Sequence, residues 1–100
     1  MENEEYEDYD NYVEYIKRKS IGMGMFNNPV RINKDETTGL TRIEIIYCGN
    51  RSQRFNRYLD FLNNESSENR LKYILERPTQ KNYAGRQFSW FRLYIDLKLP

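Results

Sequence analysis

Cys48 and Arg54 are spaced so that they could act together on a phosphate group. Five residues separate them, and they lie between a predicted strand and a predicted helix. The first turn of a helix attracts anions, and its dipole and nearby arginines favour the reactive thiolate over the thiol. One chemistry open to this segment is therefore attack of a thiolate on a phosphate ester.

This spacing resembles the C-x5-R loop of cysteine-dependent phosphatases over seven residues. The resemblance implies a cysteine phosphatase in which Cys48 is the nucleophile and Arg54 holds the phosphate. A chain of 100 residues is too short for the parallel α/β scaffold of such enzymes, and no nearby aspartate is marked as a general acid. The alternative is a cysteine that packs as a small apolar residue. We expect that alternative, and hence a protein that is not an enzyme.

Missing residue types exclude other chemistries. The chain contains no histidine and a single cysteine. Ordinary structural zinc sites need four cysteine or histidine ligands, and Ser-His-Asp or Cys-His machinery needs a histidine, so both are excluded within this chain. The carboxylates of Asp35, Glu36, Glu44 and Asp96 lack metal-binding spacing. We therefore expect no metal and no cofactor.

Charge is divided between the start of the chain and the rest. Residues 1–14 carry seven acids and no base, whereas the remainder carries sixteen bases and eight acids. Spaced carboxylates can imitate a row of phosphates, and tyrosines are favoured anchors at interfaces, so we expect this segment to bind a protein partner. The alternative is a surface helix whose acids complement the helix dipole. The residues expected to contact the partner are Glu4, Glu5, Tyr6, Glu7, Asp8, Tyr9, Asp10 and Tyr12.

Arginines and aromatic residues occur together in two later segments. Arginines recur every three residues in the predicted second helix, and aromatic residues flank an arginine on one face of the last strand. In proteins that bind single strands, arginines contact the phosphates and neighbouring aromatic rings stack on the bases. The alternative is a cation–π surface with Phe88 and Trp90 packed under the first helix. The residues expected to bind nucleic acid are Arg51, Arg54, Arg57, Phe61, Arg86, Trp90 and Arg92.

The elements that position these groups follow from the spacing of apolar residues. Helical spacing predicts a first helix over 6–19 and a second over 51–63. Alternating residues on either side of a five-residue loop that ends in Gly39 predict a hairpin of strands 30–33 and 40–48. These elements place the acidic segment on a helix and Cys48 at the end of a strand.

The second half of the chain predicts one more helix and one more strand. Ser66 or Ser67 is predicted to cap a third helix, which carries Leu71, Ile74 and Leu75 at helical spacing and ends before proline 78. A loop is predicted over 79–86, and residues 87–99 predict the longest strand, whose inner face is uninterruptedly apolar.

The predicted fold is a single α+β domain over residues 1–100, with residues 1–5 as a disordered acidic start. A small antiparallel sheet of three or four strands is backed by an N-terminal helix and a helical hairpin, in the order α-β-β-α-α-β. A chain of this size buries a modest core, so we expect it to exist as a monomer or a homodimer.

Composition also suggests where the protein works. The acidic start is unlike a basic secretory segment, no apolar run is long enough for a membrane, and one cysteine fits a reducing compartment, so we expect a cytoplasmic protein. Residues with AT-rich codons (Asn, Ile, Tyr, Lys, Phe) number 39, and alanine occurs once, which indicates a low-GC phage, virus or other mobile element. We expect a non-catalytic protein that binds and inhibits a nucleic-acid-handling host protein. Direct single-strand binding is the alternative.

Overall fold

The structure is a computed structural model that describes residues 2–48 and 52–98, with side chains except at positions 2–7, 48, 81, 83 and 88. Two helices and five strands make up the fold, and a short 3-10 turn, Met25–Asn27, follows the first helix. The elements are α1 (Glu2–Gly22), β1 (Val30–Lys34), β2 (Thr41–Cys48), α2 (Gln53–Ser67), β3 (Leu71–Leu75), β4 (Thr79–Tyr83) and β5 (Arg86–Leu97).

The five strands form one antiparallel sheet around the long strand β5. Its order is β1-β2-β5-β3, and β4 also pairs with β5. Trp90 is paired with Cys48 of β2 and with Thr79 of β4, so β4 lies on the same side of β5 as β3. Within the described residues, the four residues of β5 before Trp90 pair with β4 alone, so the β4–β5 hairpin extends past the sheet as a two-stranded ribbon.

Both helices pack on one face of this sheet. β2 and β5 contribute alternate buried residues, such as Ile43 beside Ile95 and Ile45 beside Leu93. This alternation is the period of a strand with one covered face, and it confirms the predicted inner face of β5. The opposite face has no helix over it among the described elements.

α1 is held to the sheet through its buried stripe and two hydrogen bonds. Tyr9, Val13, Ile16 and Ser20 lie one helical turn apart and are all buried. The Tyr9 hydroxyl donates to the Leu97 carbonyl (3.1 Å) and accepts from the Thr41 N–H (2.6 Å). The predicted first helix is therefore confirmed, and it begins at Glu2, within the segment predicted to be disordered.

α2 runs antiparallel to α1 and completes the helical layer. Tyr12 bonds Glu65 near one end of the pair, and Ser20 bonds Tyr58 near the other (2.6 Å between hydroxyls). Ser52 caps α2 by accepting the Phe55 N–H at 3.1 Å, which satisfies a donor that the first turn leaves free.

The prediction of a third helix is wrong, because residues 71–75 form strand β3. Leu71, Tyr73 and Leu75 face the core with a period of two, whereas Ile74 is 44% exposed on the other side. Ser66 and Ser67, the predicted cap residues of that helix, lie in the last turn of α2, and Asn69 just beyond its end adopts a φ of 59°. The predicted loop over 79–86 is likewise replaced by β4 and a tight turn at residues 84 and 85, both with positive φ.

The structure separates the two charged regions along the molecule. Tyr9 contacts Leu97 at the end of β5, so the acidic start of α1 lies at that end. Phe55 stacks on Phe91 (ring centroids 5.9 Å apart), so the start of α2 and the β4–β5 ribbon lie at the other end. The principal extents of 58 × 27 × 20 Å describe a long molecule with an acidic end and a basic end.

Candidate interaction surfaces

The acidic surface is built on the N-terminal half of α1. Asp8 and Asp10 are exposed, whereas Tyr9 is only 3% exposed and binds the sheet. Among the described side chains, Tyr9 is the first that enters the core. The side chains of the other predicted contacts, Glu4, Glu5, Tyr6 and Glu7, lie outside those described, although their backbone is helical.

Tyr12, the last predicted contact of this segment, joins α1 to α2. Its hydroxyl donates to Glu65 Oε2 at 3.1 Å, and Arg70 Nη1 lies 3.8 Å from the same oxygen. Burial and the Glu65 carboxylate raise the pKa of Tyr12 far above its ordinary value, so its hydroxyl stays protonated and remains a donor. Tyr9 and Tyr12 therefore support the fold, and the exposed members of the predicted set among the described side chains are the carboxylates Asp8 and Asp10.

The residues predicted to bind nucleic acid are divided between two surfaces. Arg54 and Arg57 are exposed on α2, in the helical layer, whereas Trp90 and Arg92 lie on the sheet face that the helices leave uncovered. Phe61 packs between the helices against Tyr15 and Tyr58, at centroid distances of 6.2 Å in both cases. Arg51 lies outside the described residues. The predicted set is thus not one platform.

The uncovered sheet face carries two arginine–aromatic pairs. Arg92 Cζ lies 5.2 Å from the Trp90 ring, and Arg42 Cζ lies 5.2 Å from the Tyr94 ring. A hydrogen bond with Tyr94 raises the pKa of Arg92. The suggestion that Trp90 packs under the first helix is wrong, because α1 lies on the other face.

Acids partly neutralise this face. Arg42 binds the Asp96 carboxylate through two hydrogen bonds, of 2.6 Å from Nε and 2.9 Å from Nη2, which raise the pKa of Arg42. Glu44 is paired in register with Tyr94 on the same face. The sheet face therefore offers stacking groups and a mixed charge, which favours a partner with both apolar and charged groups over a bare polyanion.

A more strongly basic surface lies where the end of α1 meets the start of α2. A cleft of about 570 Å³ is lined there by Ile21–Gly24, Gln53, Arg54 and Arg57. An adjoining cleft of about 510 Å³ is lined by Tyr15, Arg18, Lys19, Gly22 and Met23. No acidic side chain lines either cleft among the described residues. Arg18 and Lys19 are not among the residues that the sequence predicted to bind nucleic acid.

Gly24 allows Arg54 to lie in the cleft. Its φ of 77° is in the left-handed region, and a Cβ built on it would lie 2.9 Å from Arg54 Nη1 and 3.1 Å from Arg54 Cδ. The absence of a side chain at this position therefore lets the arginine lie against the backbone of the turn. Cys48 and residues 49–51, the rest of the phosphatase-like loop, fall outside the described side chains.

In the described part of the chain, no group of three or more cysteine, aspartate or glutamate side chains could hold a metal ion. Neither described helix combines the length with the apolar character that crossing a bilayer requires. Comparison of the chain with models of protein families, with curated proteins and with solved structures found no match.

Proposed function

We propose that the protein is a non-catalytic interaction protein that binds and inhibits a nucleic-acid-handling host protein through the acidic start of α1. The observation that supports this is the position of Tyr9. Helix α1 begins at Glu2, whereas Tyr9 is the first described side chain that enters the core. Seven helical residues, five of them acidic, precede Tyr9 and span about 10 Å at 1.5 Å per residue.

The charge of this segment suits a basic nucleic-acid groove. A helix presents its carboxylates in several directions at short intervals, and Asp8 and Asp10 are both exposed. Charge complementarity speeds association and selects a positively charged partner. A protein that fills such a groove excludes nucleic acid from it, which is inhibition without catalysis. The AT-rich composition favours a mobile element as the source and the cytoplasm of its host as the place of action.

The test is capture of host proteins with matched charge variants. The variant neutralises four acids of the segment, as E4Q, E5Q, E7Q and D8N, and the control neutralises four acids of the body, as E36Q, D60N, E68Q and E76Q. Both variants lose four negative charges, so an effect that depends only on net charge lowers capture by the same amount in each. We expect the segment variant alone to lose the partner, at unchanged thermal stability.

Equal capture by both variants would overturn the proposal. Truncation is a weaker test, because deletion of residues 1–14 also removes the buried residues Tyr9 and Val13 and with them part of the core. Deletion of residues 1–7 avoids this loss and should reproduce the neutralised variant.

The uncovered sheet face supports a second candidate, direct binding of single-stranded nucleic acid. The observation that favours it is the Trp90–Arg92 pair on a face that no described helix covers. A base that stacks on Trp90 should quench its fluorescence when an oligonucleotide is added at low salt, and W90A should then cost on the order of 1–3 kcal/mol. Unchanged fluorescence during the titration would exclude Trp90 as a stacking platform.

A further inference from the structure

The clefts between α1 and α2 gather positively charged side chains that form no ion pair with the described acids. Arg18, Lys19, Arg54 and Arg57 are all exposed there. Ion pairs within the described residues engage other bases, Lys17, Arg42 and Arg70, and none of these four. Asp60 follows Arg57 by one helical turn and forms no ion pair with it in the described part of the chain. Four like charges are therefore gathered without an ion-pair partner among the described residues, which raises the affinity of this surface for an external anion.

The two clefts adjoin each other, and we refer to them together as the groove. They share Gly22 and Met23, with Arg18 and Lys19 on one side of the turn and Arg54 and Arg57 on the other. Arg54 and Arg57 lie one turn apart on α2, about 4.5 Å along its axis. A chain of phosphates can contact the cations of both clefts at the same time.

We propose that this groove binds the phosphodiester backbone of a nucleic acid. Arginine presents a planar fork of donors that fits phosphate oxygens, and the close approach of Arg54 to Gly24 holds one such fork in the groove. A nucleic-acid backbone supplies a counter-charge for each cation without any particular sequence, because phosphates repeat along the strand. The groove lies at the opposite end from the acidic start of α1, and this proposal does not depend on the function proposed for that segment.

The experiment measures the salt dependence of binding to a fluorescent oligothymidylate by anisotropy. One variant carries R54Q and R57Q, a second carries R18Q and K19Q, and both keep the polar character of the surface. The control carries R31Q and R77Q, which removes two exposed charges outside the groove. Far-ultraviolet circular dichroism and thermal melting establish that each variant is folded.

Each groove variant should lower the salt slope of the association constant by about 1.4, at about 0.7 for each phosphate contact with a single strand. At about 50 mM salt this slope corresponds to a loss of affinity of roughly 60-fold. The control should change the affinity no more than about threefold, through the net charge alone. An equal loss in the control, or no loss in the groove variants, would overturn the proposal.

Two other outcomes would also overturn it. If W90A abolishes binding and the groove variants do not, nucleic acid binds the sheet face instead. If the oligonucleotide does not bind and sedimentation shows salt-sensitive oligomers that the groove variants lose, the groove binds the acidic start of a second copy. Capture of the host protein by the acidic segment can succeed or fail independently of these results, because it is measured with different variants.

Discussion

Tyr9→Phe is the substitution that best tests how α1 is fastened to the sheet. Phenylalanine keeps the buried ring and removes a hydroxyl that donates to the Leu97 carbonyl and accepts from the Thr41 N–H. Both residues are buried, with exposed fractions of 0% for Leu97 and 7% for Thr41, so water cannot readily replace the lost partner. A buried polar group left unsatisfied costs about 1–3 kcal/mol. Two such groups, the Leu97 carbonyl and the Thr41 N–H, lose their partner, so the expected loss in the free energy of unfolding is at least about 2 kcal/mol.

The assay is equilibrium unfolding in urea, followed by circular dichroism, with Tyr73→Phe as the matched control. The Tyr73 hydroxyl donates to Asn63 Oδ1 at the surface, so water can replace that bond and the loss should stay below about 1 kcal/mol. Tyr9→Phe should also lower the melting temperature by roughly 10–25 °C, since 1 kcal/mol corresponds to about 4–8 °C in a small domain. Equal midpoints for the two variants would refute the role assigned to Tyr9.

Two further predictions concern pH and backbone conformation. Burial, partly offset by the hydrogen bond with Ser20, raises the pKa of Tyr58 from 10.0 to about 12, so its contribution to stability is complete below pH 10 and is lost as the pH rises to about 12. The free energy of unfolding, measured in urea across that range, should fall by up to about 3 kcal/mol, at about 1.4 kcal/mol per pKa unit. The part of this fall that comes from Tyr58 should be absent in Y58F. Gly24→Ala should destabilise the protein by roughly 1–3 kcal/mol because of its positive φ and the contact with Arg54. Gly22→Ala, which meets nothing within 4 Å at the end of α1, is its control and should be neutral or slightly stabilising in thermal melts.

Long periodic segments were predictable from the sequence, and short ones were not. The stripe of α1 and the alternation of β2 and β5 each extend over enough residues to distinguish a period of 3.6 from a period of two. Residues 71–75 are too few for that distinction, since Leu71, Ile74 and Leu75 fit a helix as well as Leu71, Tyr73 and Leu75 fit a strand. Pairing with the long strand β5 favours the strand, because residues 71–75 then form backbone hydrogen bonds with β5.

The candidate surfaces were predictable only where their residues lie within one helix or strand. The sequence placed the acidic start, Arg54 and Arg57 on predicted helices, and they lie on α1 and α2, because each set lies within one element. It could not show that the Tyr9 hydroxyl bonds to Thr41 and Leu97, because these partners are distant in sequence. The groove was missed for the same reason, since it forms only where the end of α1 meets the start of α2.

The separation of charge along the molecule has a consequence for how it meets charged surfaces. The formal net charge is only +1, yet the acidic start of α1 and the basic groove lie at opposite ends of a body 58 Å long. Such a particle has a large electric dipole moment, and in the field of a polyanion it experiences a torque that turns its basic end forward. At low ionic strength it should therefore adsorb to both anion- and cation-exchange resins near neutral pH, held by a different end on each. Screening shortens the reach of both attractions to about 10 Å at 0.1 M salt, so modest salt should elute the protein from either resin.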